Sequence, residues 1–404
     1  LIRLAIAISH PIQYHAPLYS FLARDGRFEL RVFFMTDRGA RAYYDKFAKQ
    51  TVTFDNPILS GYEHVFLRTG EPAGVVAKKT ELMQFALRRE LARWMPEAVY
   101  FHGYDNPAFW PSIGWCRANG VKVLLRGENE DVLPRPRLRA AAREAFLRLL
   151  LPRIDAFLYI GTENKKFFLR RGVAESRLFY VPYSVDNDYF RAGAAAGEIA
   201  EVREAVRERY GLAAGTRLFI YTHKLRDTMR PLDAVKAFAA AAPSFTRPAV
   251  LVVCGDGELR AESEAAARDA AAPIVFAGFV PQSDLRRHML AADVMVNPAI
   301  EPWGCTVNEG LASGLAMIAA DQVVGWPDMV RSGVNGEVYP TGDLDALARL
   351  LIDFANRDDA AIEAMKAASL RLAETELSFR TCADGLAAAV ESLRRTKLSS
   401  SVAV

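Results

Sequence analysis

One pattern constrains this chain more than any other: short apolar runs alternate with helix-length amphipathic ones, twice over. "IRLAIAIS" (2–9) reads as a strand and "APLYSFLARD" as the helix after it. "FELRVFFM", "AVYFHGY", "KVLLRG" and "AFLYIG" follow as short runs rich in Val, Ile, Leu and aromatics, with "LMQFALRRELARW" and "NPAFWPSIGWCRANG" as helices among them. Such alternation builds βαβ units and a parallel sheet, so the fold class is α/β. The pattern stops at "RAGAAAGE" (191–198), a small-residue stretch that reads as a linker. It restarts with "RLFIYTH", "AVLVVCGDG", "PIVFAGFV", "DVMVNPAI", "LAMIAAD" and "NGEVYP". The expected organisation is a Rossmann-like domain over 1–190, a linker over 191–199 and a second Rossmann-like domain over 200–377. A last helical stretch, about 378–395, precedes a disordered polar tail, "TKLSSSVAV", over 396–404. Two such domains face each other across a cleft, a common place for a ligand.

Composition excludes several classes. With 404 residues, 51% hydrophobic and 25% charged, the chain is an ordinary globular protein of two or three domains. Cys116, Cys254, Cys305 and Cys382 are scattered, with no CxxC or Cys/His cluster. That argues for a reducing, cytoplasmic setting and against a disulfide framework or a structural zinc. No apolar run reaches the roughly 18 residues of a membrane span, and no signal peptide is visible. The net charge of +3 hides an asymmetry: residues 1–190 carry 28 Lys+Arg against 20 Asp+Glu, and the remainder 23 against 28. The basic half suits an anionic partner or membrane surface. The basic residues are dispersed and match no nucleic-acid-binding pattern, so no nucleic-acid partner is expected.

Chemistry concentrates in "EPWGCTVNEG" (301–310), after the strand-like "ADVMVNPAI" and before a short helix closed by Gly314. One reading is structural: "TVNE" fits a capping box, with Thr306 as N-cap and Glu309 reaching back. The other is an anion site, in which amides near Gly304, Cys305 and Thr306 and the helix dipole receive a phosphate. Glu301 and Glu309 would then accept from the hydroxyl-rich groups on either side of the phosphate. Sugar, phosphate and ribose in sequence outline a nucleotide sugar.

Residues 218–350 resemble the donor-binding domain of retaining GT-B glycosyltransferases of family 4. The resemblance rests on "FIYTHKL…RPLDAVKAF", "LVVCGDGELR", "VFAGFVPQSDL", "ADVMVNPAIEPWGCTVNEGLASGLAMIAAD" and "NGEVYPTGDLDALARLL", all in order. In the N-terminal half it rests on "VYFHG" and "FFLRRGVAESRLFYVPYSVDNDYF". It implies a two-domain GT-B fold whose last helix packs back on the first domain. It implies Glu301 on the donor sugar, Glu309 on the ribose, the amides of Gly304, Cys305 and Thr306 on the diphosphate, and Lys224 as a cation beside them. Lys224 read alone is an unremarkable charge at a strand end. The family's second basic residue in this loop falls at Met229, which cannot neutralise a phosphate; Arg226 or Arg230 are the substitutes in reach. "CGDGELR" lacks the third glycine of a dinucleotide fingerprint, since Arg260 stands there. In the family this loop, with Gly257, borders the donor, and Gly278, Phe279 and Val280 lie near the base.

The acceptor belongs to the N-terminal domain. "SHPIQYHAPLY" brings His10, Gln13, Tyr14 and His15 to the end of the first strand, either as readers of hydroxyls and phosphates or as residues of a proline-shaped turn. His102 matches a histidine that the family keeps close to the donor sugar. Arg126 and Glu128 end another strand, to bind acceptor or to pair with each other. "RPRLRAAAREAFLRLLLPR" (135–153) is either a helix for an anionic membrane or a surface helix with its leucines in the core. The resemblance thus implies a retaining, metal-independent glycosyltransferase with no cofactor. A nucleoside diphosphate sugar, of UDP or GDP type, is the co-substrate, and a saccharide or lipid-linked molecule the acceptor, as in cell-surface polysaccharide or glycolipid assembly. A nucleotide-sugar epimerase of the same fold and a non-catalytic nucleotide-sugar-binding protein are the alternatives.

Overall fold

The alternating runs become two parallel sheets in the computed structural model, which describes residues 1–40, 43–45, 50–52, 57–69, 85–191 and 196–402. The strands are β1 (Ile2–Ile8), β2 (Phe28–Phe34), β3 (Tyr43–Asp45), β4 (Gln50–Val52), β5 (Glu63–Phe66), β6 (Ala98–His102), β7 (Lys122–Arg126), β8 (Ala156–Tyr159), β9 (Leu178–Tyr180), β10 (Arg217–Tyr221), β11 (Ala249–Cys254), β12 (Ile274–Gly278), β13 (Val294–Asn297), β14 (Ala316–Ala320) and β15 (Gly336–Tyr339). The first large sheet has seven strands in the order β5-β2-β1-β6-β7-β8-β9, and the second has six in the order β12-β11-β10-β13-β14-β15. β3 and β4 form a small sheet of their own.

Both faces of each large sheet are covered, as parallel sheets require. In the first, successive residues feed opposite cores. Ala5, Ala7, Phe33, Val99 and Phe101 lie in one cluster, and Leu4, Ile6, Val32, Phe34 and Tyr100 in the other. The register is continuous across the sheet centre, with Leu4 opposite both Leu30 and Ala98. The last helix, Phe379–Val402, places Cys382, Leu386 and Val390 in the second of these cores. In the other sheet β10, β11, β13 and β14 are buried at every position, which is why they read as unbroken apolar runs.

The chain divides into two units, one holding Leu1–Asp45, Thr51–Ser184 and Phe379 onward, the other holding Val185–Ser378. Residues 185–190, assigned by the sequence reading to the N-terminal half, therefore go with the second unit. The reason is local: Asn187 Nδ2 donates to the carbonyls of Ala373 and Leu377, and Phe190 is buried. Of the expected linker, Ala196–Glu198 begin the helix Ala196–Tyr210, and 192–195 lie outside the described residues. The expected tail is also corrected, because the last helix runs to Val402. Polar composition reports a lack of burial, and a helix needs only its own backbone hydrogen bonds to continue.

Each sheet has one topological switch point, the place where parallel α/β sheets open a crevice for ligands. In the first sheet it lies between β1 and β6, and in the second between β10 and β13.

Candidate active site

In the second unit, the loops after β10 and β13 lie side by side at the switch point. The loop after β13 is fastened by backbone. Ile300 N donates to Thr228 O (2.8 Å), Glu301 N to Gln322 O (3.0 Å) and Val324 N to Glu301 O (2.9 Å). Glu301 is thus held on both sides of its Cα, and its Oε1 accepts from Asn297 Nδ2 at 3.1 Å. Asn297 is fully buried at the end of β13, so it is a fixed support for the carboxylate.

Gly304 follows as the N-cap of the helix Cys305–Ala312, at φ 111°. Only glycine adopts that backbone without strain. A Cβ here would also stand 2.8 Å from Val323 Cγ1 and 3.2 Å from Val307 Cγ2. The helix's own bonding starts with the amides of Val307 and Asn308, both on Gly304 O (2.9 and 3.3 Å). The amides of Gly304, Cys305 and Thr306 precede it, at the positive end of the helix dipole. The capping-box reading is corrected by this geometry. Thr306 is the second residue of the helix, and its Oγ1 lies 3.2 Å from His223 Nε2. Glu309, one turn further, is left to face Glu301. Burial first, and the Glu301 charge second, push its carboxyl up to about 8. At neutral pH the protein alone therefore holds one of the two carboxyls protonated.

The loop after β10 brings His223 and Lys224 to the same place. Lys224 is exposed. Met229 ends a short 3₁₀ turn, Asp227–Met229, and its carbonyl accepts from Tyr221 Oη at 3.0 Å. Arg230 is closed onto Asp233 through Nε (2.7 Å) and Nη2 (2.6 Å). This i,i+3 ion pair at the N-cap of the helix Pro231–Ala241 engages two of its guanidinium nitrogens. Gly255 and Gly257 pack backbone against backbone. A Cβ at Gly255 would sit 1.9 Å from His223 O, and one at Gly257 2.5 Å from Leu225 O. They hold the loop after β10 in place. Gly278, Phe279 and Val280 stand at the end of β12, two strands and roughly 10 Å along the sheet from β10. The Gly278 carbonyl is taken by Gly255 N (2.8 Å), while Phe279 is exposed.

The switch point of the first unit is of a different kind. His102, at the end of β6, is held on both ring nitrogens: Tyr100 Oη is 3.0 Å from Nδ1 and Tyr183 Oη 3.1 Å from Nε2. Arg126 Nη1 donates to Tyr100 Oη (3.0 Å), which leaves the hydroxyl proton for His102 Nδ1. Nε2 then carries the ring proton and donates to Tyr183. Burial, with Arg126 and His10 behind it, lowers His102 to about 3, so the ring is neutral. The expected acceptor role of Arg126 is corrected. It is fully buried, bonded to Val181 O and Pro182 O as well as Tyr100, and lies over the Tyr183 ring at 4.5 Å. Glu128, two residues on, is exposed. His15 is buried with its ring 4.5 Å from that of His102, and its Nε2 has no hydrogen-bond partner among the described residues. His10 Nδ1 is 2.9 Å from Ser9 Oγ, and burial and Arg38 lower it to about 4. Gln13 lies between them on the loop after β1, partly exposed.

Comparison with known proteins decides what family this arrangement belongs to. Residues 202–369 match the family described as Glycosyl transferases group 1. A D-inositol 3-phosphate glycosyltransferase of Streptomyces avermitilis is 32% identical over 328 residues, 75% of this chain and 68% of that protein. The chain belongs to the group 1 glycosyl transferases. Within this family, the 2-deoxystreptamine glucosyltransferase of Streptomyces kanamyceticus is 31% identical over 182 residues, 44% of this chain. That match spans less than half, 45%, of the relative's own length. The crystal structure of Anabaena Alr3699/HepE in complex with UDP superposes with a TM-score of 0.70 at 14% identity, over 97% of this chain and 100% of that one. The two parallel-sheet units are those of GT-B structures.

For a group 1 chain, the site in the second unit holds Glu301, Gly304, Cys305, Thr306, Glu309 and Lys224 at one switch point. Sequence reasoning missed His223 and Asn297. His223 stood in plain view beside Lys224, and the signal was a histidine just past a fully buried strand. Asn297 read as one more position of an apolar run, although an asparagine buried at a strand end has to bond something.

Proposed function

We propose that this group 1 chain transfers a sugar from a nucleoside diphosphate donor to a saccharide or lipid-linked acceptor, with retention at the anomeric carbon. The observation that carries this is the Glu301–Gly304–Glu309 geometry: two carboxyl groups flank a helix start that only glycine can form. In this reading Glu301 receives donor-sugar hydroxyls and Glu309 the ribose hydroxyls, each as an acceptor. The amides of Gly304, Cys305 and Thr306, with Lys224, stabilise the departing diphosphate, which is why no divalent ion and no cofactor are invoked. The leaving phosphate takes the acceptor's proton on the face from which it departs. His102 enters as a neutral, rigidly held residue and not as an acid or base. A UDP or GDP base fits the reading, and the UDP seen in the Anabaena structure supports that donor class. Cell-surface polysaccharide or glycolipid assembly is the setting we propose, in the cytoplasm.

The test is calorimetric titration with UDP, GDP, dTDP and CDP, with and without magnesium. Tight, magnesium-independent binding of one nucleotide is expected. Glu301→Gln should keep that binding and lose about 10²-fold or more in turnover of the matching donor sugar. If none of the four binds, the donor-site reading fails. Binding without turnover, on any acceptor tried, would favour a nucleotide-sugar-binding protein.

A contact with an anionic membrane is proposed for the helix Arg137–Leu150. It buries only Leu147 and Leu150, leaving Leu138 87% and Leu149 65% exposed beside Arg137, Arg139 and Arg148. Among the described residues no helix is long and apolar enough to cross a membrane.

A further inference from the structure

The diphosphate reading leaves a charge question open. The place where a second cation is wanted holds Met229, Arg230 is closed onto Asp233, and Arg226, the other substitute, is a neighbouring charge on His223. Between Lys224 and the helix start stands a group that can acquire a charge. His223 Nε2 meets Thr306 Oγ1 at 3.2 Å, in the first turn of the helix Cys305–Ala312. The side chain of Asn297 holds the same imidazole, and Asn297 in turn donates to Glu301. The ring stands edge-on to Tyr221 at 5.4 Å, and the backbone behind it is clamped by Gly255. His223 is therefore fixed one hydroxyl away from the amides that receive the diphosphate.

We propose that His223 is a positioning residue that becomes a further cation of the diphosphate site only when the diphosphate is bound. This rests on the donor-site reading above. The step is a proton transfer from solvent to the imidazole as the anion arrives, and its return when the nucleotide leaves. Protonated, the ring donates at both nitrogens, one proton toward Thr306 Oγ1 and the other toward Asn297. Thr306 Oγ1, now an acceptor, turns its own O–H toward the phosphate oxygens. One N–H bond forms on the imidazole as the solvent or buffer acid that supplies the proton loses its bond to it, and the reverse happens on release.

The surroundings set the empty state. Glu301 favours the charged ring, whereas burial and Arg226 oppose it, and burial is the largest of these. Lys224 is the next residue, Tyr221 is neutral, and Glu309 lies three residues beyond Thr306. The sum keeps His223 below its ordinary value of 6.5, neutral at pH 7, in the protein alone. A diphosphate supplies the negative charge that reverses this. An opposite charge close by favours the charged form of an imidazole, so at a pH between the midpoints of the empty and bound states binding draws in part of a proton.

The experiment is titration with UDP, or whichever of the four nucleotides binds, in buffers of differing ionisation enthalpy between pH 5.5 and 8. The slope of apparent enthalpy against buffer enthalpy counts protons taken up. Ionisation of the nucleotide itself, and any proton that Glu309 releases, appear equally in a variant that lacks the imidazole, so the difference isolates His223. Wild type is expected to exceed His223→Gln by part of a proton at the maximum. Thr306→Val, which cuts the link while leaving the ring, is expected to lose part of the same difference and stands in if His223→Gln does not fold. Equal slopes in wild type and variants at every pH, with nucleotide bound, would overturn the proposal while leaving the donor site intact. No binding by wild type would bring down the donor-site reading, and this inference with it.

Discussion

The two switch points solve opposite problems. In the first unit, Arg126, Tyr100, His102, Tyr183 and His15 form a largely buried cluster, in which a buried cation is satisfied by two carbonyls and a hydroxyl and both imidazoles are held neutral. In the second, a glycine-started helix faces two carboxyls, a lysine and a histidine across partly exposed ground. The first is held rigid where Arg126 ties Tyr100, Val181 and Pro182 together and both nitrogens of His102 are bonded. The second, in the proposal above, changes charge when an anion arrives. The contrast teaches that burial alone does not mark a reactive site: burial lowers His102 and His223 alike, but only His223 has a carboxylate beside it to pull the other way.

The largest effect that would sharpen this contrast is expected from Arg126→Ala. It leaves a cavity and unpairs two carbonyls and a hydroxyl, a cost of roughly 3–5 kcal/mol. The first unit should melt many degrees lower while nucleotide affinity in the second is kept. Loss of nucleotide binding in the folded variant would break the separation drawn here.

Glu309→Gln tests the other side through pH. An acid raised from 4.5 to about 8 on folding is protonated in the native state while the unfolded chain has already lost its proton. Between those values the native state binds more protons, so stability falls as pH rises from about 4.5 to 8 and is level beyond. Denaturant midpoints of wild type should follow that fall, and the variant should be flatter over the same window. Parallel profiles would mean that Glu309 is not the strained carboxyl of the pair.

The smallest effect belongs to the surface. Replacing Leu138 and Leu149 together by serine should leave the melting temperature unchanged, since both are exposed. It should reduce co-sedimentation with vesicles containing anionic lipid several-fold. Unchanged sedimentation would remove the membrane contact and leave that helix an ordinary surface element.

The second site was largely legible because Glu301, Gly304, Thr306 and Glu309 are neighbours in the chain, so one loop and one helix turn fix them together. The first was not. His15, Tyr100, His102, Arg126 and Tyr183 come from four separate segments, and Arg126 looked like a surface hand because arginine is seldom fully buried. The alternation of apolar runs determined two parallel sheets, since a strand buried on both faces has to be apolar throughout. The positions of Gly304 and the two glutamates carry the donor-site proposal, in which an anion sits at the helix start with hydroxyl-bearing groups on either side. Only the tertiary structure decided that Thr306 bonds His223 rather than capping its own helix. It also decided that Arg230 pairs with Asp233, that burial, with Arg126 behind it, holds His102 neutral, and that residues 185–190 belong to the second unit. Those outcomes depend on which partner lies within about 3 Å after the sheets are assembled, and spacing along the chain carries no record of that distance.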